Sequence, residues 1–219
     1  DGTINKGRLG ANAILGVSMA VARAAAASKK LELYEYLREI KGRTSPVTKA
    51  DLPAPLIVVI EGGKHADNST DFQEYLIAPH IKDSDGTISI KESVRCGAEI
   101  YLALKDVLKG HGLSTNVGNE GAYAPSGIRT NEEPWQLILE AVERAGYKAG
   151  EDVKLAADPA ATEIVEVGGY YLTREDRVFT AQEVIDYFGA WVAEYPFICI
   201  EDPLSEDDWE AWKEFTARF

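Results

Sequence analysis

Val153-Lys154-Leu155-Ala156-Ala157-Asp158 and Phe197-Ile198-Cys199-Ile200-Glu201 are short apolar runs that each end in a carboxylate, and Glu201 falls 43 positions after Asp158. That distance suits one strand and the crossover helix to the next. In a βα barrel the residues at the carboxyl ends of strands build the active site, so two acidic side chains are expected to converge on one cavity. Carboxylates gathered in that way are costly without a positive partner, and hard oxygen donors take a divalent cation such as magnesium (Mg2+). A metal site is the first expectation.

The flanking sequence extends the same rhythm. Residues 164–167 and 170–172 flank Gly168-Gly169 as a hairpin candidate, residues 181–195 follow a helical repeat, and Trp209, Trp212, Phe215 and Phe219 recur at helical spacing from Asp207 onward. Upstream, residues 52–60 and 72–78 are strand-like and are joined by a Gly-rich loop, 61–70, read as carrying no core residue. Two helices follow, 90–109 with Val94, Ala98, Tyr101, Leu102, Lys105 and Leu108 on one repeat, and 131–145 with Trp135, Leu137, Ile138, Ala141 and Val142. The order is ββααβαβα. Continuous apolar strands alternating with helices imply strands covered on both faces, hence a parallel α/β architecture. Four strands cannot close an eight-stranded barrel, so more chain or a partner is expected to complete it.

Ahead of this unit, residues 12–27 are Ala-rich with Ile14, Leu15, Val17, Met19 and Val21 interleaved, a strong helix former that is apolar nearly all round and therefore expected to be buried. A second helix is expected at 32–40. Residues 42–51 are polar, with Gly, Ser, Thr and Pro, and read as a linker. Two domains result: 1–45, helical, and 52–219, the barrel-like unit.

A chain of 219 residues that is 45% hydrophobic can bury a sizeable core. Its net charge of −13 argues against attraction to nucleic acid or an anionic membrane surface, and an anionic substrate would need local positive charge. Cys96 and Cys199 have no motif around them and read as core thiols of a reducing compartment, without a disulfide. No apolar stretch reaches the ~18 to 20 residues of a membrane span and no signal segment opens the chain, so a cytoplasmic location is expected. The chain opens on Asp1-Gly2-Thr3 and closes in a helix without a stop signal, and it is expected to continue at both ends.

Further groups could carry chemistry. Glu120 lies between Gly118 and Gly121, in a loop free to present a carboxylate to a cleft as a general acid. His65 sits on the loop that follows the first strand, where glycines could act as hinges. Glu74 is a charge within an apolar strand, either at an edge or turned into a cavity. Asp202, next to Glu201, would point to the opposite face of a strand and serve as a supporting or helix-capping group. Lys154 shares parity with Asp158 but lies roughly 13 Å away at the wrong end of its strand, and is rejected as a base.

Five segments, LGANAILGVSMAVARAAA from Leu9, EGGKHADNSTDFQEYLI from Glu61, VGNEGAYAP from Val117, LAADPAATE from Leu155 and CIEDPL from Cys199, resemble in order and spacing the enolase family, the glycolytic phosphopyruvate hydratases. The resemblance spans essentially the whole chain. It implies an enolase-type βα barrel that opens ββαα before regular βα units, preceded by the last helices of a small N-terminal domain. It further implies Mg2+-dependent interconversion of 2-phosphoglycerate and phosphoenolpyruvate, with Asp158 and Glu201 as ligands of the tighter magnesium and Glu120 as the general acid. Glu74 would assist that acid, and His65, Glu74 and Glu201 would contact substrate. A homodimer or higher homo-oligomer is the implied assembly.

By the family pattern, the third metal ligand, the lysine base and further substrate-binding groups belong beyond Phe219, and a serine loop belongs before Asp1. Residues 1–219 alone are therefore expected to be inactive, since a catalytic set missing members loses most of its activity. The sequence departs from the family at Glu61, usually Asn, at Asn119, usually Asp, at Ala122, usually Gly, and at Pro159, usually small or a thiol. Asn119 takes one negative neighbour from Glu120, and Pro159 removes a backbone donor just after the expected ligand. These changes leave a competing reading, a noncatalytic enolase-derived structural or interaction module. A related acid-sugar dehydratase or racemase is disfavoured by the segments from Glu61 and Val117.

Overall fold

The computed structural model describes residues 1–43 and 45–219. Thr44, within the stretch read as a linker, lies outside the described residues. The chain divides into two compact units, Asp1–Asp51 and Leu52–Phe219.

In the first unit, α1 (Ala11–Ser28) packs on α2 (Leu33–Ile40). A capping box fastens the start of α2, with Glu32 and Glu35 each accepting the other's backbone N–H. The expected burial of α1 does not hold: Ala26 is buried, but Leu15, Val17, Met19 and Val21 are each more than half exposed. One neighbouring helix covers one stripe, and a helix apolar all round has more than one. At 18 residues α1 is also long and apolar enough to cross a membrane by length and composition, although its apolar residues do not form one uninterrupted run.

The second unit is built on a sheet of order β1-β2-β3-β7, comprising β1 (Ile57–Glu61), β2 (Glu74–Pro79), β3 (Val153–Asp158) and β7 (Phe197–Ile200). β1 begins later than expected, past Pro53 and Pro55, because proline cannot donate to a ladder, and it ends on Glu61 rather than before it. The parallel architecture expected from the apolar strands is corrected in part. β2 runs antiparallel to both β1 and β3, and the β3–β7 pair is parallel. The cause lies in the connections. A short loop returns the chain from β1 directly to its neighbour, and two helices, α3 (Ile90–Gly110) and α4 (Glu133–Arg144), separate β2 from β3. One helix, α5 (Ala181–Glu194), separates β3 from β7, as a parallel crossover requires.

The expected hairpin forms around Val167-Gly168 between β4 (Val165–Glu166) and β5 (Gly169–Leu172), and an unforeseen third strand, β6 (Arg177–Phe179), pairs with β5. The chain closes with α6 (Trp209–Arg218).

Helix α3 is where expected, but its buried face is offset from the one read from sequence. Ser93, Cys96, Gly97, Ile100, Leu104, Val107 and Leu108 are buried, while Val94 and Leu102 are exposed. Gly97 explains the offset, since a Cβ there would lie 2.3 Å from Ile57 Cδ1, so the helix uses its smallest residue to approach the sheet. On α4 the expected face is the buried one, and Trp135 packs against Tyr75 with ring centroids 4.5 Å apart. Cys96 and Cys199 are free thiols.

Candidate functional site

The reversed direction of β2 brings its first residue to the rim where β1 and β3 end. Glu61 lies directly opposite Glu74, and Glu74 directly opposite Asp158, so three carboxylates stand side by side across three strands. Glu201 follows in the next position: Ile200 pairs with Ala157, and the Glu201 N–H donates to the Ala157 carbonyl at 2.8 Å. Like charges directly opposite one another destabilise a sheet, so this row opposes folding as it stands. Burial and the crowding of acids both show in the acid equilibria. Burial first, then the charges of Glu120, Asp158 and Glu201, push the Glu74 carboxyl up to about 7. Burial, with Glu201 and Asp202, also raises Asp158, against the lowering effect of the Ala160 N–H. That N–H donates to Asp158 Oδ1 at 2.9 Å and supplies the bond that Pro159 cannot.

Two loops hang over the row. The first, between β1 and β2, is tied at its base by Gly62 N–H to Gln73 carbonyl (3.0 Å) and Gly63 N–H to Thr70 carbonyl (2.9 Å). Its far end is rooted by Phe72 among Tyr187, Phe188 and Trp191. Buried Asn131 adds a latch: its amide donates to Asp71 and Glu175, both at 2.7 Å, and accepts the Asp71 N–H at 2.9 Å. The loop presents His65, whose Nδ1 lies 3.8 Å from Glu61, 3.6 Å from Glu74 and 3.8 Å from Glu120. This nitrogen is buried and has no hydrogen-bond partner, so it faces three carboxylates without being committed to any.

The second loop carries Glu120 and runs beside β1, with the Glu61 N–H donating to the Tyr123 carbonyl at 2.9 Å and the Tyr123 N–H to the Val59 carbonyl at 3.0 Å. Asn119 N–H reaches the His65 carbonyl at 3.1 Å, which joins the loops.

Of the residues singled out from sequence, His65, Glu74, Glu120, Asp158 and Glu201 are thus placed at one rim. Of the two roles expected of Asp202, supporting group or helix cap, it does not fill the cap, while its charge acts on Asp158. Asp202 adopts a left-handed turn (φ +40°) after β7, and the α6 cap is Asp208, which accepts the Ala211 N–H at 3.2 Å. Lys154 pairs with Ala78, four rungs below the rim, in keeping with its rejection. Glu61 was missed as a site residue, and the loop read as coreless begins with this fully buried carboxylate. The signal was present, because Glu61 ends an apolar run just as Asp158 and Glu201 do.

Two donor sets could hold a metal. Asp158 and Glu201 offer oxygen alone on adjacent parallel strands, the chemistry that suits magnesium. Glu61, His65 and Glu120 offer one atom each within 4.8 Å of one another, and the imidazole in that set suits a softer ion.

Two family models match the chain: one described as "Enolase, C-terminal TIM barrel domain" over residues 49–219, the other as "Enolase, N-terminal domain" over residues 1–37.

Proposed function

The chain belongs to the enolase family, and on that premise we propose that the complete protein is a lyase that reversibly dehydrates 2-phosphoglycerate to phosphoenolpyruvate, with magnesium as its cofactor, in glycolysis. The observation that carries this reading is the row Glu61, Glu74, Asp158 with Glu201 beside it, under His65 and Glu120. Asp158 and Glu201 would hold the magnesium, which when bound supplies positive charge to offset the negative charge that builds on the substrate after proton removal.

The remaining roles belong to side chains. Glu74, with its carboxyl at about 7, retains a proton near neutral pH and can share it with the adjacent Glu120. Glu120 then protonates the departing hydroxyl group, and Glu74 restores the proton. His65, uncommitted and cationic when protonated, is suited to contact an anionic substrate beside these carboxylates. The base that removes the carbon-bound proton is not Lys154, and residues 1–219 by themselves are proposed to be inactive. The enolase family is soluble, so α1 is read as a packing helix, and we place the protein in the cytoplasm as a homodimer or larger homo-oligomer.

Turnover of 2-phosphoglycerate by the complete protein, followed by ultraviolet absorbance of phosphoenolpyruvate at saturating magnesium, tests the reading. We expect activity that Glu120→Gln abolishes. Calorimetric titration should show magnesium binding that weakens at least about tenfold in Asp158→Asn or Glu201→Gln. No turnover, together with magnesium binding indifferent to both substitutions, would instead establish the noncatalytic module.

A further inference from the structure

Glu61 has no role in the reaction proposed above, yet it is the most enclosed of the rim carboxylates, with no exposed surface. A buried carboxylate without a strong cationic partner is expensive. Among the described residues its ion-pair partner is His65, at 3.8 Å. Its oxygens instead accept the backbone N–H of Glu120, at 3.2 and 3.3 Å. The carboxyl group also fills the space over Gly118, where a Cβ would meet Glu61 Cδ at 2.6 Å and Oε1 at 2.7 Å. Gly118 is thus small because Glu61 occupies its side-chain volume.

Main-chain contacts fix Glu61 itself. It is the last residue of β1, paired with Glu74 on one side and bonded through its N–H to Tyr123 on the other. A side chain leaving so rigid a base has little freedom. What it touches is the backbone of one group proposed to face the substrate and the ring of another.

We infer that Glu61 is a positioning residue: its carboxylate pins the turn at 118–120 and faces the His65 ring, holding Glu120 and His65 at one fixed separation. The inference rests on the proposed roles of His65 and Glu120. A charged acceptor gives a stronger bond to a backbone N–H than a neutral one, and a strand end is a firmer support than either loop. The carboxylate joins both loops to the sheet.

The test uses the complete protein and the substitutions Glu61→Ala and Glu61→Gln. Misplacing a reacting group by about 1 Å can cost about 100-fold in rate, so Glu61→Ala should lower kcat by about that factor. KM should rise by a smaller factor than kcat falls, because proton delivery to the leaving group acts in the transition state while the displaced His65 ring weakens only one substrate contact. Amide hydrogen exchange at Glu120, read by NMR, should accelerate by about tenfold or more as its acceptor is lost. Glu61→Gln keeps an oxygen acceptor of the same reach, and should recover at least about tenfold of the lost kcat and most of the amide protection.

Unchanged kcat and unchanged Glu120 exchange in Glu61→Ala would overturn the inference. So would a general loss of stability and exchange protection across the sheet that Gln does not rescue, because Glu61 would then be a structural group alone. If the parent protein fails to turn over 2-phosphoglycerate, the proposed function falls. The placement role is then decided by exchange at Glu120 and the His65 ring resonances, which need no catalysis.

Discussion

Replacing Glu74 by Gln should stabilise the metal-free protein at alkaline pH and leave it unchanged at acid pH. In the folded chain the Glu74 carboxyl is raised from an ordinary 4.5 to about 7, and its side chain is 15% exposed, so little solvent screening intervenes. A group whose folded value lies above its unfolded value binds its proton more tightly in the native state. Its contribution is fully present below about pH 4.5 and is lost as pH rises toward 7, where the native state must hold a charge it disfavours. At 1.36 kcal/mol for each tenfold change in proton affinity, the loss is at most about 3 kcal/mol. Gln has no charge to disfavour. Denaturant unfolding of chelator-treated parent and Glu74→Gln proteins at steps between pH 4.5 and 8 should therefore give curves that diverge upward through this window, with Gln the more stable at pH 8. Asp158 is shifted in the same direction and keeps part of the slope in both proteins. Parallel curves, or a Gln variant less stable at pH 8, would refute the account of Glu74 as a carboxyl whose charge is disfavoured by burial and by its acidic neighbours.

Two further outcomes test what supports the rim. Gly62→Ala places a Cβ 2.0 Å from Thr70 Oγ1 and 2.7 Å from the Thr70 backbone N and O, so the loop base must open; thermal unfolding should report a loss of about 1–3 kcal/mol. Asn131→Leu leaves Asp71 and Glu175 without the amide that joins them, and chemical denaturation should show a cost of about 2–3 kcal/mol, with the His65 loop cut sooner by protease.

Much of this arrangement was legible before any coordinates. The apolar runs ending at Asp158 and Glu201 pointed to strands and to a shared rim, and α4 buries the very residues its repeat marked. What escaped had particular causes. An offset of the buried face of α3 turns on Gly97 meeting Ile57, a contact between positions far apart in the chain. The direction of β2 depends on connection lengths, which strand composition does not record. Glu61 escapes notice because the glycines after it draw it into a loop, although it closes an apolar run as Asp158 and Glu201 do. Asn119 suggested a loss of negative charge near Glu120, and the folded chain sets the Glu61 carboxylate against the Glu120 backbone in that neighbourhood. The exposure of α1 could not be read either, since periodicity reports an apolar face and not what lies against it.

The pair of helices between β2 and β3 has a consequence for how this architecture tolerates change. Each traverse of the layer reverses which edge the chain emerges from, so Asp158 reaches Glu74 by parity: two traverses bring it back, and one or three would not. Losing either α3 or α4 would deliver Asp158 to the far edge, about 17 Å of strand away. Lengthening or shortening each helix by whole turns leaves the count even, and the acidic row survives.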